Sequence, residues 1–89
     1  MNTIFESIDR VRKMEAIFDE LSSGILENPP RINRKLLRSL IDYYEGGEWR
    51  QDFELDEGGL LPCDLKRGVL SEDGVYNLLE RISEVAKNR

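Results

Sequence analysis

The sequence predicts an all-α domain, and three observations predict it. Apolar residues recur at steps of three and four in three separate stretches. Paired glycines and paired prolines fall between those stretches, where they punctuate helices. No stretch alternates apolar and polar residues with the period of two that a half-buried strand requires. The length, 89 residues, suits one domain spanning 1–89, and 39% hydrophobic with 35% charged residues is polar yet sufficient for a core.

The first helix is expected over about 3–26. Ile4, Ile8, Val11, Met14, Phe18, Leu21 and Ile25 share one stripe, and charged residues cover most of the rest. Thr3 and Glu6 have capping-box spacing, with Thr3 as N-cap. Phe5, Ala16 and Ile17 fall off the stripe, so they either widen the buried face or meet a second partner. Asn28-Pro29-Pro30 ends this helix, because proline removes a backbone donor and pushes its predecessor towards extended geometry. The same prolines suit the first turn of a second helix over about 30–45. Ile32, Leu36, Leu37, Leu40, Ile41 and Tyr44 form its apolar face, and Arg31, Arg34, Lys35 and Arg38 form a basic stripe almost opposite. These two helices read as a hairpin, closed by Gly46-Gly47 at the C-cap.

An acidic helix or loop follows over 47–57, with Trp49, Asp52 and Phe53 at i, i+3, i+4 spacing and Gly58-Gly59 closing it. Leu60-Leu61-Pro62 reads as an apolar anchor and Asp64 to Gly68 as a structured turn. Leu61, Leu65, Val69 and Leu70 are spaced to pin that turn onto the helices. Ser71 is the expected N-cap of a last helix over 72–87, with Glu72 and Asp73 near its positive dipole end. Val75, Leu78, Leu79, Ile82, Val85 and Ala86 make its apolar face.

Charge is the most informative part of the composition. The chain carries 13 Lys+Arg against 18 Asp+Glu, a net −5. Residues 45–57 hold six acids and one base, which leaves twelve of each sign elsewhere. The protein is therefore charge-balanced apart from one acidic segment. It has no histidine and a single cysteine, Cys63. The missing histidine removes the commonest general base and the usual serine and cysteine triads. A single cysteine excludes an internal disulfide, and one cysteine without histidine excludes a structural zinc site. No apolar run approaches the roughly 20 residues of a membrane span, and the first residues lack the apolar stretch of a signal peptide. A cytoplasmic setting is the expectation.

The remaining motifs are weak when read one by one. Asp52, Glu54 and Asp56 alternate like calcium-loop ligands, but position six is Glu57 rather than glycine and position twelve is Cys63 rather than glutamate. No metal or other cofactor is expected. The basic stripe offers four cations for nucleic-acid phosphates but has no interleaved aromatic, on a chain of net negative charge. Nucleic acid is disfavoured. Four of the seven aromatics, Tyr43, Tyr44, Trp49 and Phe53, lie within eleven residues; such a cluster suits an interface or the core, and Trp49 and Phe53 are read as core. Lys66 and Arg67 follow Cys63, but with no base to activate it a plain free thiol is expected. Gly46-Gly47 and Gly58-Gly59 lack phosphate-loop spacing.

The run from Tyr43-Tyr44 through Glu48-Trp49, Asp52-Phe53-Glu54, Asp56-Glu57, Gly59 and Leu61-Pro62 continues into Asp64-Leu65-Lys66-Arg67-Gly68-Val69-Leu70-Ser71-Glu72-Asp73, Val75-Tyr76 and Leu78-Leu79. It resembles the signature of a small bacterial, Firmicutes-type domain family of unknown function. Val11 to Glu15 is similar to the helical segment that precedes that signature. The resemblance implies a mostly helical bacterial cytoplasmic protein and brings no activity, cofactor or partner.

The sequence names no activity. The reading it favours is a non-enzymatic helical protein–protein interaction module, and it singles out no catalytic residue. The candidate interaction residues are Trp49, Asp52, Glu54, Asp56, Asp64, Lys66 and Arg67. An unidentified protein partner or a second copy is expected, because the first helix has near-heptad spacing that suits a homodimer. The alternatives are a small-ligand or catalytic cleft built from Asp52, Glu54, Asp56, Asp64, Lys66 and Arg67, and nucleic-acid binding through Arg31, Arg34, Lys35 and Arg38.

Overall fold

The computed structural model describes residues 3–71 and 73–87, and every regular element among them is helical. Helix α1 spans Thr3–Gly24, α2 Arg34–Glu45, α3 Glu48–Glu57 and α4 Gly74–Lys87. A single 3-10 turn, Gly68–Leu70, precedes α4. The capping box expected at Thr3 lies outside the described side chains.

Helix α1 buries the predicted stripe. Ile8, Val11, Met14 and Leu21 are buried and Ile4 and Phe18 half-buried; the helix ends at Gly24, two residues earlier than expected, so Ile25 is buried from the turn that follows. Ile17 is buried too and widens the face, whereas Phe5 and Ala16 are exposed. The chain then turns back on itself at Gly24, whose carbonyl accepts the Arg31 N–H at 2.8 Å. A Cβ on Gly24 would run into the Arg31 carbonyl, so only glycine permits this approach.

The start of the second helix differs from expectation. Pro29 and Pro30 are not its first turn; they belong to the loop. Asn33 is the N-cap instead, its side-chain oxygen accepting from the backbone N–H groups of Lys35 and Leu36 at 3.1 and 3.2 Å. A short side-chain acceptor satisfies two otherwise orphaned donors, which a preceding proline cannot do. Arg31 therefore lies outside the helix, and the basic stripe on α2 itself is reduced to Arg34, Lys35 and Arg38.

The acidic segment is a full helix. Gly46 caps α2, and Gly47, at φ +99°, turns the chain directly into α3. Gly58 closes α3. Leu61, Leu65, Val69 and Leu70 are all buried, as their spacing predicts, while Leu60 is exposed. The 3-10 turn they anchor touches α1, α3 and α4, so it is the hub of the fold. Helix α4 starts two residues later than expected. Ser71 does not cap it, because it lies three residues before the first helical residue, Gly74; its hydroxyl donates instead to the Gly68 carbonyl at 2.8 Å and closes the 3-10 turn. Glu72 lies outside the described residues. On α4, Val75, Leu78 and Ile82 are buried, Leu79 and Val85 half-buried, and Ala86 exposed.

All these buried side chains join one apolar cluster, to which α2 adds Leu40 and Tyr43 and α3 adds Trp49. Helix α1 packs on α2, α3 and the 3-10 turn, and α2 packs on α3. The expected pairing of the first two helices is present. The near-heptad stripe of α1 is covered by this chain itself, so a dimer would need another surface.

Candidate functional site

Helix α3 places the acids of residues 45–57 in two environments. Its inward face carries Trp49, Asp52 and Phe53, in keeping with their spacing. Asp52 is fully buried, with 0% of its surface exposed. An isolated carboxylate there would be prohibitively unfavourable, so its partners decide whether the helix can fold. Arg10 on α1 supplies a two-pronged match: Nε donates to one Asp52 oxygen at 2.9 Å and Nη2 to the other at 2.5 Å. The Tyr43 hydroxyl donates to Asp52 Oδ2 at 2.8 Å. Arg10 also donates to the buried Ser7 hydroxyl at 3.2 Å and faces Glu48 at 3.6 Å.

This network joins α1, α2 and α3 through one carboxylate. Its electrostatics follow from burial and charge. The Asp52 hydrogen bond raises the Arg10 pKa, which keeps that guanidinium charged. Burial first, and the bond to Asp52 second, push the Tyr43 phenol well above its ordinary range. Tyr43 is thus a neutral donor at any physiological pH. Such groups brace the fold and are poorly placed for proton transfer to a substrate.

Trp49 is 8% exposed and its indole N–H donates to the Val69 carbonyl at 2.8 Å. Phe53 stacks on it at 4.9 Å between centroids, and Tyr44 meets its edge at 5.2 Å. The aromatic cluster therefore fastens α2 and α3 to the 3-10 turn. Asp56, at the far end of α3, accepts from Arg67 Nε at 2.9 Å. Arg67 also donates to the carbonyls of Pro62 at 2.7 Å and Cys63 at 3.4 Å, so it holds the 62–67 loop in shape. Cys63 itself is an exposed free thiol.

The seven candidate interaction residues are thus divided. Trp49 and Asp52 lie inside, Asp56 and Arg67 pair with each other, and Glu54 is exposed on the outer face of α3. Asp64 and Lys66 sit elsewhere. With Leu65 they form one wall of a cavity of about 360 Å³. Its other wall is α1, through Arg12, Glu15, Ala16 and Asp19. Glu15 ties the two walls together by accepting the Val69 N–H at 2.8 Å. A second, open depression beside Tyr44, Gly47 and Arg50 is backed by Trp49.

The basic stripe is largely neutralised within the chain. Arg31 is paired with Glu20 and Glu27, and Arg38 faces Asp42 at 3.4 Å. The Arg31 guanidinium holds the exposed Glu27 carboxyl below its usual range. Arg34 and Lys35 have no ion-pair partner within 4 Å among the described residues.

Sequence reasoning missed Ser7, Arg10, Arg12, Glu15 and Asp19. For Arg10 a signal existed: Asp52 sits at an inward position of its helix, and a buried acid needs a cation. Which of the arginines supplies it depends on how α1 crosses α3, and no spacing rule contains that. Among the described residues no group of three or more Cys, Asp or Glu is arranged to hold a metal ion. Nor is any helix there long and apolar enough to cross a membrane.

No curated protein and no solved structure matches the chain. The whole signature that follows α1, the braced 62–67 loop, the 3-10 hub and Trp49 all fall within a match to one family, which covers residues 11–89. The chain belongs to that family, described as Domain of unknown function (DUF4298).

Proposed function

We propose that the chain is a non-enzymatic protein–protein interaction module that docks a basic segment of a partner protein on the outer face of α3. The observation that carries this reading is the division of the acids in residues 45–57. Asp52 and Asp56 are engaged by Arg10 and Arg67, while Glu45, Glu54 and Glu57 stand exposed with no ion-pair partner within 4 Å among the described residues. Glu54 and Glu57, three residues apart, share one helical face. The stacked Trp49 and Phe53 behind that face hold it rigid, which lowers the ordering cost of binding. Unpaired surface acids on a fixed helix steer a basic partner and set its orientation. A cytoplasmic setting fits the exposed, unpaired Cys63.

The test is affinity purification from the native host with the wild-type chain and the double variant Glu54→Lys/Glu57→Lys. Expected is one reproducible partner whose retention weakens with salt and is lost in the variant, with an unchanged circular dichroism melt. Equal retention by both chains, or no reproducible partner, rejects the reading. Trp49→Ala is unsuitable here, because Trp49 belongs to the core.

A further inference from the structure

The cavity between α1 and the 64–66 loop is separate from the α3 face, and its chemistry differs. We propose that it is a binding site for a small zwitterion, of amino-acid to dipeptide size, that carries an ammonium or guanidinium at one end and a carboxylate at the other. At about 360 Å³ it is large enough for such a ligand. Arg12 and Asp19 are seven residues apart on α1, hence on one face and about 10 Å apart along the axis. Ala16 lies midway between them and is exposed, so its methyl leaves open a space that a longer side chain would fill.

The opposite wall has the same polarity pattern in a shorter span. Leu65 is buried and anchors the loop, while its neighbours Asp64 and Lys66 are exposed and line the cavity. That loop is held from both sides. Arg67 ties it to α3 through Asp56, and Glu15 ties the Val69 amide to α1. The backbone that presents the charges is therefore in place before a ligand arrives.

The charges themselves are unengaged. Arg10, Arg31, Arg38 and Arg67 all have carboxylate partners within the chain. Among the described residues Arg12, Asp19, Asp64 and Lys66 have none within 4 Å, although all four line one cavity. A simple anion would meet three acids there, Glu15 included, and a simple cation would meet Arg12 and Lys66. A zwitterion satisfies both signs at once, and the apolar surface of Ala16 and Leu65 suits the aliphatic stem between its ends.

Backbone amide NMR of the isotope-labelled chain, titrated with a Lys-Glu dipeptide, tests this directly. Succinate and spermidine serve as single-sign comparators. Expected are saturable shifts confined to residues 12–19 and 64–66, with a midpoint in the millimolar range and about tenfold weaker shifts from either comparator. Ala16→Leu places a good helix former at an exposed helical position, so the fold is retained while the cavity is filled. That variant should lose the shifts and keep its circular dichroism melt. The proposal is overturned by absence of saturation at about 10 mM dipeptide, by equal shifts from succinate or spermidine, or by undiminished shifts in folded Ala16→Leu. None of these outcomes depends on Glu54 or Glu57, so the α3 reading stands or falls separately.

Discussion

Asp52 is the residue on which the arrangement of the first three helices turns. It is buried without exposed surface and shared by Arg10 and Tyr43. Breaking a buried pair from one side leaves an uncompensated charge. Asp52→Ala should therefore destabilise the fold by about 3 kcal/mol in urea unfolding, the lower end of the usual range. The lower end applies because the Arg10 side chain is 20% exposed and can turn to water and to Glu48. Tyr43 adds a pH dependence whose sign follows from its raised pKa. In the unfolded chain the phenol ionises near pH 10, whereas in the fold burial and Asp52 keep it protonated. The unfolded state then binds fewer protons, so stability is fully present below about pH 10 and declines as pH rises beyond it. Melting temperature followed into the alkaline range should show this decline. Tyr43→Phe should flatten it, at a cost of about 1.5 kcal/mol at neutral pH from the lost hydrogen bond.

Helices α2 and α3 owe their limits to side chains and glycines at their ends more than to the prolines nearby. The Asn33 carboxamide satisfies two amides at the start of α2. Asn33→Ala should cost about 1 kcal/mol by chemical denaturation, with the helix otherwise retained. Helix α1 already ends at Gly24, ahead of Pro29 and Pro30, and α2 starts only at Arg34, because the chain first folds back so that Arg31 reaches Gly24, Glu20 and Glu27. The late start of α4 has a similar cause. Ser71 has the chemistry of an N-cap, but the 3-10 turn that its hydroxyl closes carries the chain past it before α4 begins at Gly74. In both places the local signal marks a helix boundary, and the path of the chain places the helix start two to four residues further on.

The whole molecule measures 45 × 24 × 20 Å, and its parts meet at the 3-10 turn rather than along a symmetric bundle. Trp49 donates to that turn and stacks within the α2–α3 cluster, so its fluorescence reports on the hub. Unfolding followed by Trp49 emission and by far-ultraviolet circular dichroism should give one coincident transition, as for a single cooperative unit. A fluorescence midpoint clearly separated from the dichroism midpoint would mean that one helix unfolds apart from the hub.

Helical periodicity made the all-α class, the pairing of the first two helices and most of the core readable from the residues alone. Ile8, Val11, Leu21, Leu40, Leu78 and Ile82 are buried where their spacing puts them. Asp52 shares the helical spacing of Trp49 and Phe53, but its charge predicts water or a partner and the fold buries it instead. The pinning role of Leu61, Leu65, Val69 and Leu70, by contrast, is legible as a pattern. Periodicity, however, says which face of a helix is covered and nothing about which residue of another helix covers it. Arg10 lies 42 positions from Asp52, and Glu15 lies 54 from the Val69 amide it accepts. Only the crossing of α1 over α3 and the hub selects those pairs, because an ion pair needs atoms within a few ångströms and sequence spacing fixes distance only along one helix. The tertiary structure alone thus decided that Glu48, Asp52 and Asp56 of the −5 segment face arginines, that its other acids face water, and that Arg12, Asp19, Asp64 and Lys66 share one cavity.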